Sequence, residues 1–266
     1  MSRDEPQRLY GGEESAAYRL GDLVLRIGPP WRGDEQVEWC HAIALRAARE
    51  VPEVLAPVMT RAGTTVLRVD GRPITLWPYA AGEWADEQDP AQCEQAARLL
   101  ARVHRSLAGF RPGPRPTPSF GDEGVLPDPA LDRWLERYRR GRAVQPLHGD
   151  YHSGNLLARN GRIIALIDWD EAVLGVPEFE LAAAALEFGD DLVRDLAPAR
   201  AFLAAYRAEG GPAEIAEDEA LTQLIRHKLR REAAYFELAA RRGAVHTAEQ
   251  VDYHRARVQA FHDLSL

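Results

Sequence analysis

Residues 147–170 read LHGDYHSGNLLARNGRIIALIDWD, and the reading of the whole chain works outward from them. The first part, His148-Gly149-Asp150-Tyr151-His152-Ser153-Gly154-Asn155, is polar, and its glycines permit tight backbone turns. Ile163-Ile164-Ala165-Leu166-Ile167 is an apolar, β-branched run of the kind that forms a buried strand, and it delivers Asp168 at its end. Between them Asn160-Gly161 is the strongest short hairpin signal in the chain. A hairpin closed there brings Asp150, Asn155 and Asp168 close together. One carboxylate is then free to accept a proton, while an amide and a second carboxylate are free to hold a hard cation.

Phosphoryl transfer requires a group that orients the attacking hydroxyl and oxygen ligands for Mg2+ on the nucleotide phosphates. The D-x-x-x-x-N spacing from Asp150 to Asn155, followed by a strand ending in Asp168, has the order of a kinase catalytic loop and its metal-binding Asp. HGDYHSGN followed by IDWD resembles the aminoglycoside phosphotransferase and small-molecule kinase family, which has a protein-kinase-like fold. The expected class is therefore α+β with two lobes. A small N-terminal antiparallel sheet plus one helix forms a nucleotide-binding lobe over residues 1–79. A larger, mostly helical lobe for catalysis and substrate binding covers residues 80–266. The roles that follow are Asp150 as the catalytic base and Asn155 and Asp168 as Mg2+ ligands, with His148 and His152 bracing the loop.

The chain has 266 residues, 45% hydrophobic and 28% charged, enough for one large or two modest units with a sizeable core. No apolar run is long enough to span a bilayer, and the polar, acidic start MSRDEPQRLYGGEES does not read as a signal peptide. Cys40 and Cys93 are too few for a disulfide framework, so a reducing, cytoplasmic setting is expected. The formal net charge of -8 argues against nucleic acid as a partner and is compatible with a cationic substrate. Lys228 is the only lysine; nearly all positive charge is arginine.

Upstream, residues 8–27 read as strand, turn, strand and strand, with GGEES in the first turn and Arg26 in the third strand. A glycine-bearing hairpin can set backbone N–H groups against phosphates. The resemblance makes this the flap over the nucleotide, with Gly11, Gly12 and Ser15 as its contacts, and places a Lys where this chain has Arg26. Arginine presents a planar fork instead of a compact charge, and can still hold α- and β-phosphate oxygens. Residues 34–50 read as a helix with Glu35 and Glu38 in its first turns. Glu38 stands where the partner of the third-strand cation is expected, with Glu35 as its competitor. Strands are expected over residues 54–58, 64–69 and 73–79. The same resemblance makes Trp77-Pro78-Tyr79-Ala80-Ala81-Gly82 the linker whose backbone reads the adenine edge, with Trp77 and Tyr79 as expected nucleotide contacts.

Downstream, helices are expected over residues 90–110 and 129–140, separated by a loop rich in Pro and Gly. Further helices follow over residues 177–188, 192–208, 218–242 and 247–261. Asp170 and Glu171, just beyond the metal-binding Asp, are candidate substrate contacts. Asp190, Asp191 and Glu232 form the pool of acids for an amine-bearing acceptor. The leading expectation is transfer of the γ-phosphate of ATP or GTP, with Mg2+, to a hydroxyl of a small polar molecule. An aminoglycoside-like antibiotic or aminosugar ranks first; homoserine, choline or another small alcohol is the alternative. A rival of another class takes His148, Asp150 and His152 as ligands of a metal-dependent hydrolase. A third is a nucleotide-binding module without catalysis. The sequence does not specify an oligomeric state.

Overall fold

The computed structural model describes residues 5–10, 15–118 and 124–264. They fall into two compact units. One comprises residues 1–85, 103–118 and 145–174, and the other residues 86–102, 119–144 and 175–266.

In the first unit, β1 (Gln7–Leu9), β2 (Ala16–Leu20) and β3 (Leu23–Ile27) form a meander. Helix α1 (Asp34–Ala48) follows, then β4 (Val66–Val69) and β5 (Arg72–Pro78). The five strands make one antiparallel sheet in the order β1-β2-β3-β5-β4. The register pairs Arg26 of β3 with Ala17 of β2 and Thr75 of β5, so Arg26 sits in the interior of the sheet. On α1, Val37, Cys40, Ile43, Ala44 and Ala47 are buried at helical spacing.

Residues 54–58 were expected to be a strand, and here the structure differs. Only a single parallel bridge from Val54 to Leu166 forms. Pro57 has no N–H to donate to a ladder and ends the pairing.

A three-stranded sheet is built from β6 (Glu83–Trp84) and the hairpin that the sequence marks. The last turn of α2 (Pro90–Leu107) also belongs to this unit. Helix α3 (Pro129–Arg139) precedes β7 (Gln145–Leu147). The hairpin strands are β8 (Leu156–Arg159) and β9 (Arg162–Leu166), paired from Leu156 opposite Leu166 to Arg159 opposite Arg162. Asn160 and Gly161 connect them with φ of 52° and 72°, the left-handed pair of a two-residue turn whose twist matches the strands. Beyond it, β10 (Val173–Gly175) pairs with β7.

The second unit is helical: most of α2, then α3, α4 (Pro177–Glu187), α5 (Ala197–Ala208), α6 (Asp218–Arg241) and α7 (Ala248–Asp263). Asp128 caps α3 by accepting from the N–H groups of Ala130 and Leu131. Thr247 and Gln250 close a capping box on α7. Leu221, Leu224, Ile225 and Leu229 give α6 its buried face, which packs against α3, α4 and α7. Helix α5 starts at Ala197, five residues later than expected. Asp190 accepts from the backbone N–H groups of Leu192, Arg194 and Asp195, and Val193 sits at φ 57°, so this segment is a turn. No helix among the described residues is long and apolar enough to cross a membrane.

Candidate active site

The hairpin does the local work. Its ladder continues one step past β8, where the Ile167 N–H donates to the Asn155 carbonyl at 3.0 Å. Asn155 therefore lies across from the residue that precedes Asp168. Asp168 itself has φ 59°, an uncommon conformation for a residue with a Cβ, and the chain turns there instead of continuing the strand.

A single 3-10 turn, Ser153–Asn155, folds the other arm back. The Asn155 amide Nδ2 donates to the Asp150 carbonyl at 2.8 Å and to Asp150 Oδ2 at 3.0 Å. This leaves Asn155 Oδ1 without a protein donor among the described residues. His152 Nδ1 accepts from the Gly154 N–H at 3.1 Å, so Nε2 is the nitrogen that donates to Asp150 Oδ2, at 3.3 Å. The Asp150 side chain, oriented by these two donors, is 42% exposed and open to a reacting partner.

His148 plays a different part. It is fully buried, its Nε2 donates to the Ile167 carbonyl at 2.9 Å, and its Nδ1 accepts from the Asp150 N–H at 3.3 Å. Its ring packs edge-on against the buried Trp169, with centroids 4.6 Å apart. Both ring nitrogens are committed to backbone, so His148 cannot ligate a metal. The hydrolase reading built on His148, Asp150 and His152 is corrected on that ground. Gly149, at φ 87°, lets the loop approach the segment after Asp168: a Cβ there would lie 2.0 Å from the Glu171 carbonyl oxygen.

Arg26 reaches this group from β3. Its Nη2 lies 3.3 Å from both Asp168 carboxylate oxygens and 3.0 Å from Asp170 Oδ2. Burial works against the Arg26 charge, but Asp168 and then Asp170 outweigh it and hold the guanidinium firmly protonated. Asp170 Oδ2 also meets Arg32 Nη1, and Arg32 is buried. Burial raises the Asp170 carboxyl, but Arg26 and Arg32 together hold it below the usual carboxylate range. Glu171 lies 3.6 Å from Arg32 Nη2 and 4.0 Å from Arg115 Nη2. Asp170, expected to meet substrate, is thus an inward-facing ion-pair partner, and Glu171 rims the same arginines.

Glu38 does not meet Arg26, contrary to expectation. Its carboxylate accepts from the Thr65 N–H and Oγ1, each at 2.7 Å, and from the Val66 N–H at 3.1 Å. Those donors line the start of edge strand β4, so Glu38 ties α1 to the sheet. Trp77 is buried in β5, donates to Thr75 Oγ1 at 3.0 Å and stands edge-on to His41 at 4.9 Å. The Tyr79 N–H donates to the Asp22 carbonyl at 2.8 Å, and its ring carries the Arg19 guanidinium 3.9 Å from the centroid. The Trp77 side chain therefore belongs to the core, and the Tyr79 backbone donor is already used. Ser15 is half-buried just ahead of β2, and Gly11 and Gly12 lie outside the described residues.

Asp190, Asp191 and Glu232 belong to the second unit. Asp190 holds the turn before α5 and pairs with Arg194 at 3.0 Å. Asp191 accepts from Tyr253 Oη at 3.0 Å, and its carbonyl accepts from Arg257. Glu232 pairs with Arg257 at 2.6 Å and with Lys228 at 3.0 Å. Burial raises Glu232, but Lys228 and Arg257 win and pull it down to about 2. These acids stabilise their own unit through internal pairs. Sequence reasoning missed Arg32 and Arg115, which sit in Pro- and Gly-rich loops with no periodicity to mark them.

A donor set of one carboxylate and one amide oxygen, Asp168 and Asn155, suits a hard cation shared with phosphate oxygens. Among the described residues no group of three or more His, Cys, Asp or Glu forms a metal cage. The fold is of the protein-kinase-like class. Residues 6–221 match the APH family, described as a phosphotransferase enzyme family, and the chain belongs to it.

Among curated relatives, stress response kinase A of Salmonella choleraesuis (strain SC-B67) is 28% identical over 187 residues, covering 60% of this chain and 56% of that protein. A homoserine kinase of Pseudomonas aeruginosa (strain LESB58) is 30% identical over 166 residues, covering 55% and 52%. The chain thus spans about half the length of these relatives. Among solved structures, the amicoumacin kinase hAmiN in complex with AMP-PNP, Ca2+ and Ami superposes with a TM-score of 0.73 at 15% identity, covering 98% of this chain and 92% of that one. The GDP complex of aminoglycoside 2'-phosphotransferase-IIIa gives 0.64 at 16% identity, covering 99% and 93%. At such identities these structures show the fold.

Proposed function

We propose that the chain transfers the γ-phosphoryl group of ATP or GTP to a hydroxyl of a small polar molecule. The observation that carries this reading is Asp150 held by Asn155 and His152, in one hairpin with Asp168, within a phosphotransferase family. Asp150 Oδ2 is turned by two donors, and the carboxylate orients the acceptor hydroxyl and takes its proton as the new P–O bond forms and the bond to the departing nucleoside diphosphate breaks. Asn155 fixes Asp150 with its amide nitrogen and keeps its amide oxygen for a cation. With Asp168 it would hold Mg2+, which neutralises charge developing on the β- and γ-phosphates. Arg26 meets the phosphates with the guanidinium donors that the two acids leave over. His148, locked to backbone on both nitrogens, keeps the loop in register.

For the acceptor, an aminoglycoside-like antibiotic or aminosugar ranks first, supported by the likeness to amicoumacin and aminoglycoside kinases. Homoserine is the second reading, favoured by relatives of higher sequence identity. The internal pairing of Asp190, Asp191 and Glu232 supports neither.

An ADP-release screen over aminoglycosides, peptide antibiotics, homoserine, choline and hexosamines tests the proposal. Asp150→Asn is expected to lower turnover by about 10²- to 10⁴-fold while nucleotide binding persists. Tightly bound zinc with no nucleotide turnover would overturn the reading, as would ATP binding without transfer to any acceptor tried.

A further inference from the structure

We infer that Asp170, not Glu38, is the positioning residue that holds Arg26 for the nucleotide phosphates. The inference rests on the phosphotransferase reading and adds a carboxylate that the catalytic-loop pattern does not assign. Three observations support it.

First, the carboxylate on α1 is fully engaged elsewhere. Glu38 takes two backbone N–H groups and one hydroxyl at the start of β4, the usual complement of a well-satisfied carboxylate. Turning it toward Arg26 would orphan the Thr65 and Val66 donors, and Thr65 is buried.

Second, Asp170 is built in rather than placed at the surface. Its side chain is 17% exposed and carries two guanidiniums on one oxygen, Arg26 at 3.0 Å and the buried Arg32. Its backbone carbonyl accepts from Cys40 Sγ of α1 at 3.4 Å. Helix α1 therefore still connects to the β3 cation, but through Cys40 and the Asp170 main chain.

Third, the geometry suits arginine in particular. Among the described residues Arg26 meets Asp168 and Asp170 through Nη2 alone. Nη1 and Nε are left as donors on a fork whose orientation is already set. A lysine ammonium would have to divide the two tasks among three donors on a single nitrogen, whereas the guanidinium places them on separate nitrogens. Arg26 on β3 and Asp170 thus form one arrangement.

The test compares affinities for Mg·ADP and for adenosine, measured by calorimetry on the full chain. Adenosine lacks the phosphates, so the ratio of the two isolates the phosphate contacts. Arg26→Ala and Asp170→Asn should each weaken Mg·ADP by about tenfold, the scale of one charge-assisted contact, and leave adenosine unchanged. Asp170→Glu should restore part of the loss. Glu38→Gln should lower the melting temperature and leave the ratio at the wild-type value.

Asp170→Asn leaves two guanidiniums facing a neutral amide. If that variant does not fold, Glu38→Gln against Arg26→Ala decides: an unmoved ratio supports the assignment, and a shift equal to that of Arg26→Ala overturns it. A folded Asp170→Asn with the wild-type ratio also overturns it. Failure of the wild-type chain to bind Mg·ADP would sink the phosphotransferase reading and this assignment together. Wild-type binding with an unmoved Asp170→Asn ratio sinks the assignment alone.

Discussion

Gly149→Ala adds one methyl group beside Asp150, the proposed base, and the structure sets its consequence. At φ 87°, the added Cβ would stand 2.0 Å from the Glu171 carbonyl oxygen and 2.8 Å from the carbonyl carbon. Relaxed contacts between heavy atoms lie near about 3.5 Å, so the loop and the 170–172 segment must separate by more than about 1 Å. The left-handed backbone adds about 1–2 kcal/mol for any residue with a Cβ, and overpacking adds about 1–3 kcal/mol. A total loss of about 2–5 kcal/mol is expected.

Gly161→Ala is the matched control. It too has a left-handed backbone, φ 72°, but no atom lies within 4 Å of its added Cβ. It should cost about 1–2 kcal/mol, the backbone contribution alone. Urea unfolding of both variants gives the difference, expected at about 1–3 kcal/mol and attributable to the clash. The displaced segment follows Asp168 directly, so Gly149→Ala should also lower turnover by about 10²-fold, the scale of a 1 Å misplacement. Equal stabilities for the two variants, or wild-type turnover in Gly149→Ala, would refute the argument that this close approach positions the site.

Two further outcomes follow from buried charge. Burial pushes the His41 imidazole down to about 4, against the opposing pull of Asp170 and Glu38. The unfolded chain takes up that proton near pH 6.5 and the folded chain only near 4, so stability is complete above 6.5 and falls as pH drops through this window. The loss should approach about 3 kcal/mol. His41→Gln should flatten that part of the stability profile in urea titrations, and an unchanged slope would count against it. Arg257 is buried against Glu232 and Glu187 at 2.6 Å and 2.9 Å. Arg257→Met should cost about 3–5 kcal/mol by stranding buried carboxylate charge, with part recovered by adding Glu232→Gln. A loss under about 1 kcal/mol, read by urea unfolding, would show that Lys228 alone suffices.

The amino-acid sequence by itself determined what depends on neighbours in the chain. Asn160-Gly161 accepts a left-handed two-residue turn at little strain, and the apolar run after it pairs as β9. Asp150, Asn155 and Asp168 were legible because a hairpin of known twist leaves few ways to place them. Most helices were legible from apolar spacing, and the structure adds the caps Asp128 and Thr247 that fix where α3 and α7 begin. Local features also explain two misplaced boundaries: Pro57 ends the pairing at Val54, and Asp190 folds the start of the expected α5 into a turn.

Tertiary structure decided the choice among chemically equivalent partners. Arg26 and Asp168 are 142 positions apart, and nothing in their flanking residues distinguishes Asp170 from Glu38 as a counter-ion. That choice was made by Thr65, which draws Glu38 to the edge of the sheet, and by Arg32, which fixes Asp170 from the other side. The same holds for Asp191 and Glu232, which read as free acids until Tyr253 and Arg257, distant in the chain, are placed against them. A carboxylate in sequence is only a charge; the donors that fold around it decide whether it braces, binds or reacts.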